Sequence, residues 1–155
     1  MNNTKNYSAY LFDLDGTLLD YRQAQRNATD TDNEFQLVNS PEVQGYESRG
    51  VPSPDSAAMK SAFEKHSVIT NPESFLEKYF VNLSRQGIPM PGAEELLLYL
   101  KDKVKLAVVS NGPGEVQDPR LDKAGLAAYF RYQFYSRDLG IAKPDPEILR
   151  SGPFS

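Results

Sequence analysis

The sequence predicts an α/β fold: a parallel sheet with a small helical insertion between its first strand and its first core helix. Two observations carry this. Taken with the apolar run at Ser8 to Asp15, the segments from residue 92 onward alternate helical spacing with short apolar runs, giving the order strand, helix, strand, helix, strand that right-handed crossovers produce. Roughly seventy residues separate the first apolar run from the helix at Gly92, far beyond the usual βα connection of about 2 to 6 residues.

The elements follow in order. "SAYLFDLD", Ser8 to Asp15, is short, aromatic and aliphatic, and stopped by Gly16, as a buried strand should be. Within the long interval, "SAAMKSAFEKHSV" and "PESFLEKYFVNLSRQ" have helical patterning, whereas the preceding stretch is polar and rich in Pro and Gly. "GAEELLLYLKDK", Gly92 to Lys103, carries acids in its first turn and lysines in its last, as the helix dipole favours. "VKLAVVS", Val104 to Ser110, is a second strand ended by a turn cluster. In "EVQDPRLDKAGLAAYF" the spacing of Leu121, Ala124, Leu126 and Ala127 is helical; Pro119 should start or interrupt this helix and Gly125 should end it. "YQFYS", Tyr132 to Ser136, is a third strand. The division this gives is a core of residues 1–20 and 92–155, and an insertion of residues 21–91.

The 155 residues are enough for one domain with a modest insertion. No run approaches the about 20 consecutive apolar residues of a membrane span. The polar start "MNNTKNYSAY" lacks the apolar segment of a secretory signal, and the chain has no cysteine, so disulfides and thiolate metal sites are excluded and cytoplasmic residence is expected. A net charge of −4 argues against general nucleic-acid binding.

In open α/β sheets ligands sit beyond the carboxyl ends of the strands, and three polar clusters fall there. The first strand delivers Asp13, Asp15, Gly16 and Thr17; the second, Ser110, Asn111 and Gly112; the third is followed by Lys143. A carboxylate at Asp13 is placed to attack phosphorus and form an acyl-phosphate. Asp15, two residues on, should face the same side by strand alternation and exchange a proton with the leaving oxygen and then with water. Two carboxylates so close favour a bound hard cation such as Mg²⁺, held by Asp13 and Asp15, a carbonyl and waters. Ser110 and the adjacent turn suit phosphoryl oxygens, and Lys143 supplies a fixed positive charge. Each cluster alone has a plainer reading as a turn or a helix start. Their succession at strand ends favours phosphoryl transfer.

The chain resembles the haloacid dehalogenase superfamily: "FDLDGTL" matches its first motif, "VVSNG" its second and "GIAKPDPEI" its third, while "RLDKAGLAAYF" resembles the helix between the last two. The resemblance implies a Rossmann-like core, Asp13 as nucleophile, Asp15 as acid/base, Ser110 as phosphate-binding hydroxyl and Lys143 as charge stabiliser. It implies Gly16, Thr17, Asn111 and Gly112 around the phosphate, and an insertion that acts as a substrate-selecting cap. Because Asp15 is kept, phosphatase rather than dehalogenase chemistry is implied, on a small phosphorylated metabolite; a phosphomutase uses the same residues.

The superfamily's fourth, acidic motif should follow some tens of residues after Lys143, and the sequence runs to Ser155 without it. The expectation is a core lacking its C-terminal part, with the first strand an exposed edge, weakened metal binding, and a non-catalytic fragment as the alternative. His66, the only histidine, is expected on the surface of the insertion. Tyr21, Arg22 and Gln23 are candidates for ligand contact or a polar helix start, and Asp138 and Asp145 for solvated or capping roles.

Overall fold

A computed structural model describes residues 7–30, 61, 63–65 and 71–150. His66, most of the first predicted insertion helix and the segment from Ser151 lie outside the described residues. Three parallel strands, β1 (Ala9–Phe12), β2 (Lys105–Ser110) and β3 (Tyr132–Tyr135), pair in the order β1-β2-β3. Leu11 pairs with Ala107, and Val109 with Phe134. β2 is buried from Leu106 to Ser110, which its aliphatic run requires of a central parallel strand. Among the described residues β1 pairs only with β2, and Tyr10 and Leu11 are exposed.

The insertion contributes α1 (Tyr21–Thr29) and α2 (Pro72–Ser84). The Asp20 carboxylate caps α1 by accepting the Gln23 N–H, and Asn71 caps α2 by accepting that of Glu73. Ala24, Ala28, Phe63, Phe75, Leu76, Tyr79 and Leu83 form their shared core. The chain leaving the sheet and the chain returning to it are bonded together: Asp20 N–H donates to the Ile88 carbonyl and Met90 N–H to that of Leu18, both at 2.8 Å.

The core helices are α3 (Ala93–Leu100) and α4 (Gly114–Lys123), followed by the short α5 (Ser136–Leu139) and α6 (Glu147–Arg150). α3 stops earlier than the sequence predicts, with residues 101–103 in a turn. Pro119 neither starts nor interrupts α4; it lies inside, on the exposed side with Glu115, whose carbonyl loses its helical donor where water can replace it. α4 ends as expected at Gly125, whose φ of +74° lets Leu126 N–H return to the Leu121 carbonyl at 3.0 Å. β1 ends at Phe12, shorter than the predicted strand, and Ser136 opens α5 rather than ending β3. Val116 on α4 joins the apolar cluster of the insertion, while Leu121 and Leu126 join Leu14, Leu97, Leu106 and Val108 under the sheet.

Candidate active site

The pairing of β1 ends at Phe12, and Asp15 makes an isolated bridge with Leu19. Leu14 is fully buried, and its carbonyl accepts the N–H groups of Leu18 and Leu19 at 2.9 Å, curling residues 14–19 into a tight loop. Gly16 supplies the left-handed φ of +77° this loop needs. Asp13 and Asp15 both line one cavity while Leu14 between them is fully buried, the side-to-side alternation that the sequence suggested. The cavity, about 310 Å³, lies where the strand ends meet the helical insertion.

Its floor is polar. Lys143 Nζ donates to Asp13 Oδ1 at 2.5 Å and to the Val109 carbonyl at 2.9 Å. Asp13 Oδ1 also accepts the Leu14 N–H at 2.8 Å, and Oδ2 accepts nothing from the described residues. Ser110 Oγ accepts from Gln117 Nε2 at 2.9 Å and from Gly112 N–H at 3.2 Å. Both lone pairs are thus taken, and the hydroxyl proton remains to be donated. A Cβ at Gly112 would stand 2.3 Å from Gln117 Nε2, so any larger residue here displaces that amide. Asn111 holds the loop that carries Lys143: its Oδ1 accepts Lys143 N–H at 2.8 Å and its Nδ2 donates to the Lys143 carbonyl at 3.1 Å.

Asp15 is held by two residues of α4. Gln117 Nε2 donates to Oδ2 and Arg120 Nη1 to Oδ1, each at 2.7 Å. Arg120 is fully buried, so Asp15 is the counter-charge that makes its burial tolerable. Its Nη2 has no hydrogen-bond partner among the described residues, an omission that costs about 1–3 kcal/mol.

The sequence reading missed Gln117 and Arg120. The signal was present, because they precede Leu121 and Ala124 by four residues and so share the buried face of α4. Of the predicted site residues, Asp13, Asp15, Ser110, Asn111, Gly112 and Lys143 all line the cavity; Gly16 and Thr17 are exposed in the adjoining turn and are not among its lining. Tyr21 lines it as well, whereas Arg22 is exposed and Gln23 bonds within α1 to Asn27. The opposite wall is apolar and aromatic: Tyr21 from α1 and Tyr79, Phe80 and Leu83 from α2. Asp145 takes the capping role expected of it by accepting Glu147 N–H at 2.9 Å.

The donor chemistry fits a hard cation in part. Asp13 Oδ2 and the Asp15 carbonyl accept no hydrogen bond from the described residues, whereas both side-chain oxygens of Asp15 are taken. Two oxygen donors suit Mg²⁺, which keeps several waters. Among the described residues no group of three acidic or imidazole side chains could enclose a metal.

Comparison with known proteins places this geometry. Residues 7–151 match the family model of haloacid dehalogenase-like hydrolases. The chain is 30% identical to the pyrimidine 5'-nucleotidase YjjG of Escherichia coli, over 75% of this chain and 52% of the relative. It is likewise 30% identical to the plasmid phosphoglycolate phosphatase of Cupriavidus necator, over 92% and 64%. The chain therefore spans about half to two thirds of the length of these relatives. Among solved structures, the magnesium-bound HAD-hydrolase YfnB of Bacillus subtilis superposes with a TM-score of 0.77 at 26% identity, covering 97% of this chain and 75% of that one.

Proposed function

The chain belongs to the haloacid dehalogenase-like hydrolases, and from that premise we propose that it hydrolyses a small phosphate monoester through an aspartyl-phosphate, with Mg²⁺ as cofactor. One observation carries the reading: the carboxylate of Asp13 stands at the cavity with one oxygen held by Lys143 and the other open.

In the proposed reaction an oxygen of Asp13 attacks phosphorus while the bond from phosphorus to the ester oxygen breaks, and Asp15, entering this step protonated, gives its proton to the departing alkoxide. A water then attacks the acyl-phosphate, Asp15 takes the proton released, and inorganic phosphate leaves with Asp13 restored. Held by Gln117 and Arg120 as a hydrogen-bond acceptor facing the cavity, Asp15 is arranged for the second, base-catalysed half. Ser110 donates its hydroxyl to a phosphoryl oxygen, and Lys143 balances the charge that builds there. Mg²⁺, held by Asp13 Oδ2 and the Asp15 carbonyl, would neutralise phosphoryl oxygens.

The cavity wall supports a nucleoside monophosphate over a phosphorylated carboxylic acid. Among the described lining residues the two cationic side chains, Lys143 and Arg120, are engaged by Asp13 and Asp15, while Tyr21, Tyr79 and Phe80 give the cavity an aromatic side suited to the base of a nucleoside. The helical insertion is read as the lid that excludes water and chooses the substrate. Among the described residues no helix is long and apolar enough to cross a membrane, and a cytoplasmic site of action fits the composition.

The test is phosphate release by this chain with Mg²⁺ from nucleoside monophosphates and from phosphoglycolate, beside Asp13→Asn. Turnover that depends on Asp13 and prefers nucleotides is expected. Release that survives Asp13→Asn would overturn the mechanism, and an isomerised ester without free phosphate would indicate a mutase.

A further inference from the structure

Arg120 touches three parts of the chain at once. Nη1 donates to Asp15 Oδ1 at 2.7 Å, Nε donates to the Gln86 carbonyl at 3.2 Å, and the guanidinium carbon lies 5.7 Å from the centre of the Tyr21 ring. Tyr21 opens α1 and Gln86 follows α2, so both belong to the helical insertion, whereas Asp15 belongs to the sheet end. The guanidinium is planar and its donors are fixed relative to one another, so a movement of Gln86 or Tyr21 that turns the plane also turns the donor presented to Asp15. The contact on the insertion side is close. A Cβ at Gly87 would stand 2.5 Å from the Arg120 carbonyl and 2.7 Å from Ala124 N, so the returning backbone lies directly on α4 where Arg120 leaves it. Gln117, which accepts from the same Nη1 at 2.7 Å, completes a bonded chain from the insertion to Asp15 and on to Ser110.

Resting on the phosphatase reading above, we propose that Arg120 is a positioning residue that couples the seating of the helical insertion to the aim of Asp15. With Tyr21 and Gln86 in place the Asp15 carboxyl group is held toward the cavity. When they shift, it loses the orientation that proton transfer needs. A simple structural ion pair would hold Asp15 equally well whatever the insertion does.

Two measurements on the full chain test this. The first is the carboxyl carbon resonance of Asp15 at a single pH, for Tyr21→Leu in the parent and in an Arg120→Lys background. Tyr21→Leu is expected to move that signal in the parent and to move it much less once Lys, which cannot bond in two fixed directions, replaces Arg120. A signal that Tyr21→Leu leaves in place, or moves equally in both backgrounds, overturns the coupling whether or not the protein releases phosphate.

The second is kcat for an alkyl phosphate against p-nitrophenyl phosphate. Arg120→Lys should lower kcat at least about tenfold more for the alkyl ester, whose leaving oxygen needs the proton, with KM within about threefold of the parent. Equal losses on both esters overturn the proposal. Should Arg120→Lys fail to fold, Tyr21→Leu is expected to show the same bias toward the alkyl ester, and its absence has the same force. A parent with no release dependent on Asp13 would instead overturn the phosphatase reading, and the carboxyl resonance then decides the coupling alone.

Discussion

Lys143 Nζ is bonded to Oδ1 of Asp13 at 2.5 Å and to the carbonyl of Val109 at 2.9 Å, so the loop after β3 is pinned across the ends of both other strands by one ammonium group. The carbonyl bond helps to hold the cation beside Asp13. Asp13→Asn, which keeps the shape and removes the nucleophile, should lower phosphate release at least about a thousandfold. Lys143→Ala should lower kcat by about 10²–10³. Initial rates with p-nitrophenyl phosphate measure both.

Ser110→Ala removes an acceptor used by Gln117 and by Gly112 N–H. Gln117 keeps Asp15 as partner, but the Gly112 amide is stranded, so stability should fall by about 1–3 kcal/mol, read as an earlier urea midpoint. Its kcat should drop by about 10²-fold with the lost hydroxyl donor.

Gly112→Ala puts a methyl group into Gln117, whose Nε2 would lie 2.3 Å away. Gln117 must then swing off Asp15 and Ser110 together. Activity should fall at least about tenfold while far-UV circular dichroism stays unchanged, because the helix itself is not touched. A loss of kcat with unaltered KM would place the damage in the chemical steps.

Tyr135 is buried and its hydroxyl donates to Asp118 Oδ1; burial and that carboxylate push the phenol well above its ordinary range. The folded state therefore keeps its proton to higher pH than the unfolded chain. The stabilisation is complete below about pH 10 and is lost as pH rises beyond it, with a slope of about 1.4 kcal/mol per pH unit. Urea unfolding between about pH 9 and 11 should show that slope in the parent and a shallower one in Tyr135→Phe.

With Asp13 Oδ2 and one carbonyl as the donors found among the described residues, Mg²⁺ held by them alone should bind weakly and exchange freely. Chelation should abolish phosphate release, and Mg²⁺ at about millimolar levels should restore it fully. Activity that persists in excess chelator would exclude the proposed cofactor role.

The sheet and the residues at its strand ends were legible because each depends on local pattern: an apolar run, a turn, and a polar group where the run stops. Asp13, Ser110 and Lys143 are found this way without knowledge of any contact. Gln117 and Arg120 were not, since a buried polar residue on a helix becomes meaningful only once its partner is known, and Asp15 lies more than a hundred residues away in sequence. Pro119 misled for the opposite reason. Its cost depends on whether the freed carbonyl of Glu115 meets water, which spacing does not reveal. Asn111 lines the cavity as expected, but the work of its side-chain amide, gripping the backbone of Lys143 at both ends, could not be read from a residue 32 positions away.

The bonds from Asp20 to Ile88 and from Met90 to Leu18 make the outgoing and returning chain a single two-stranded rail. A segment attached to such a rail meets the sheet at two anchor points whose separation does not depend on what lies between them. Lengthening or replacing residues between those anchors costs only a slowly growing loop-closure entropy. Outside the contacts that Tyr21, Gln86, Gly87 and the insertion's apolar cluster make with Arg120 and Val116 of α4, the proposed substrate-selecting part of the molecule is thus free to vary while the strand ends stay put.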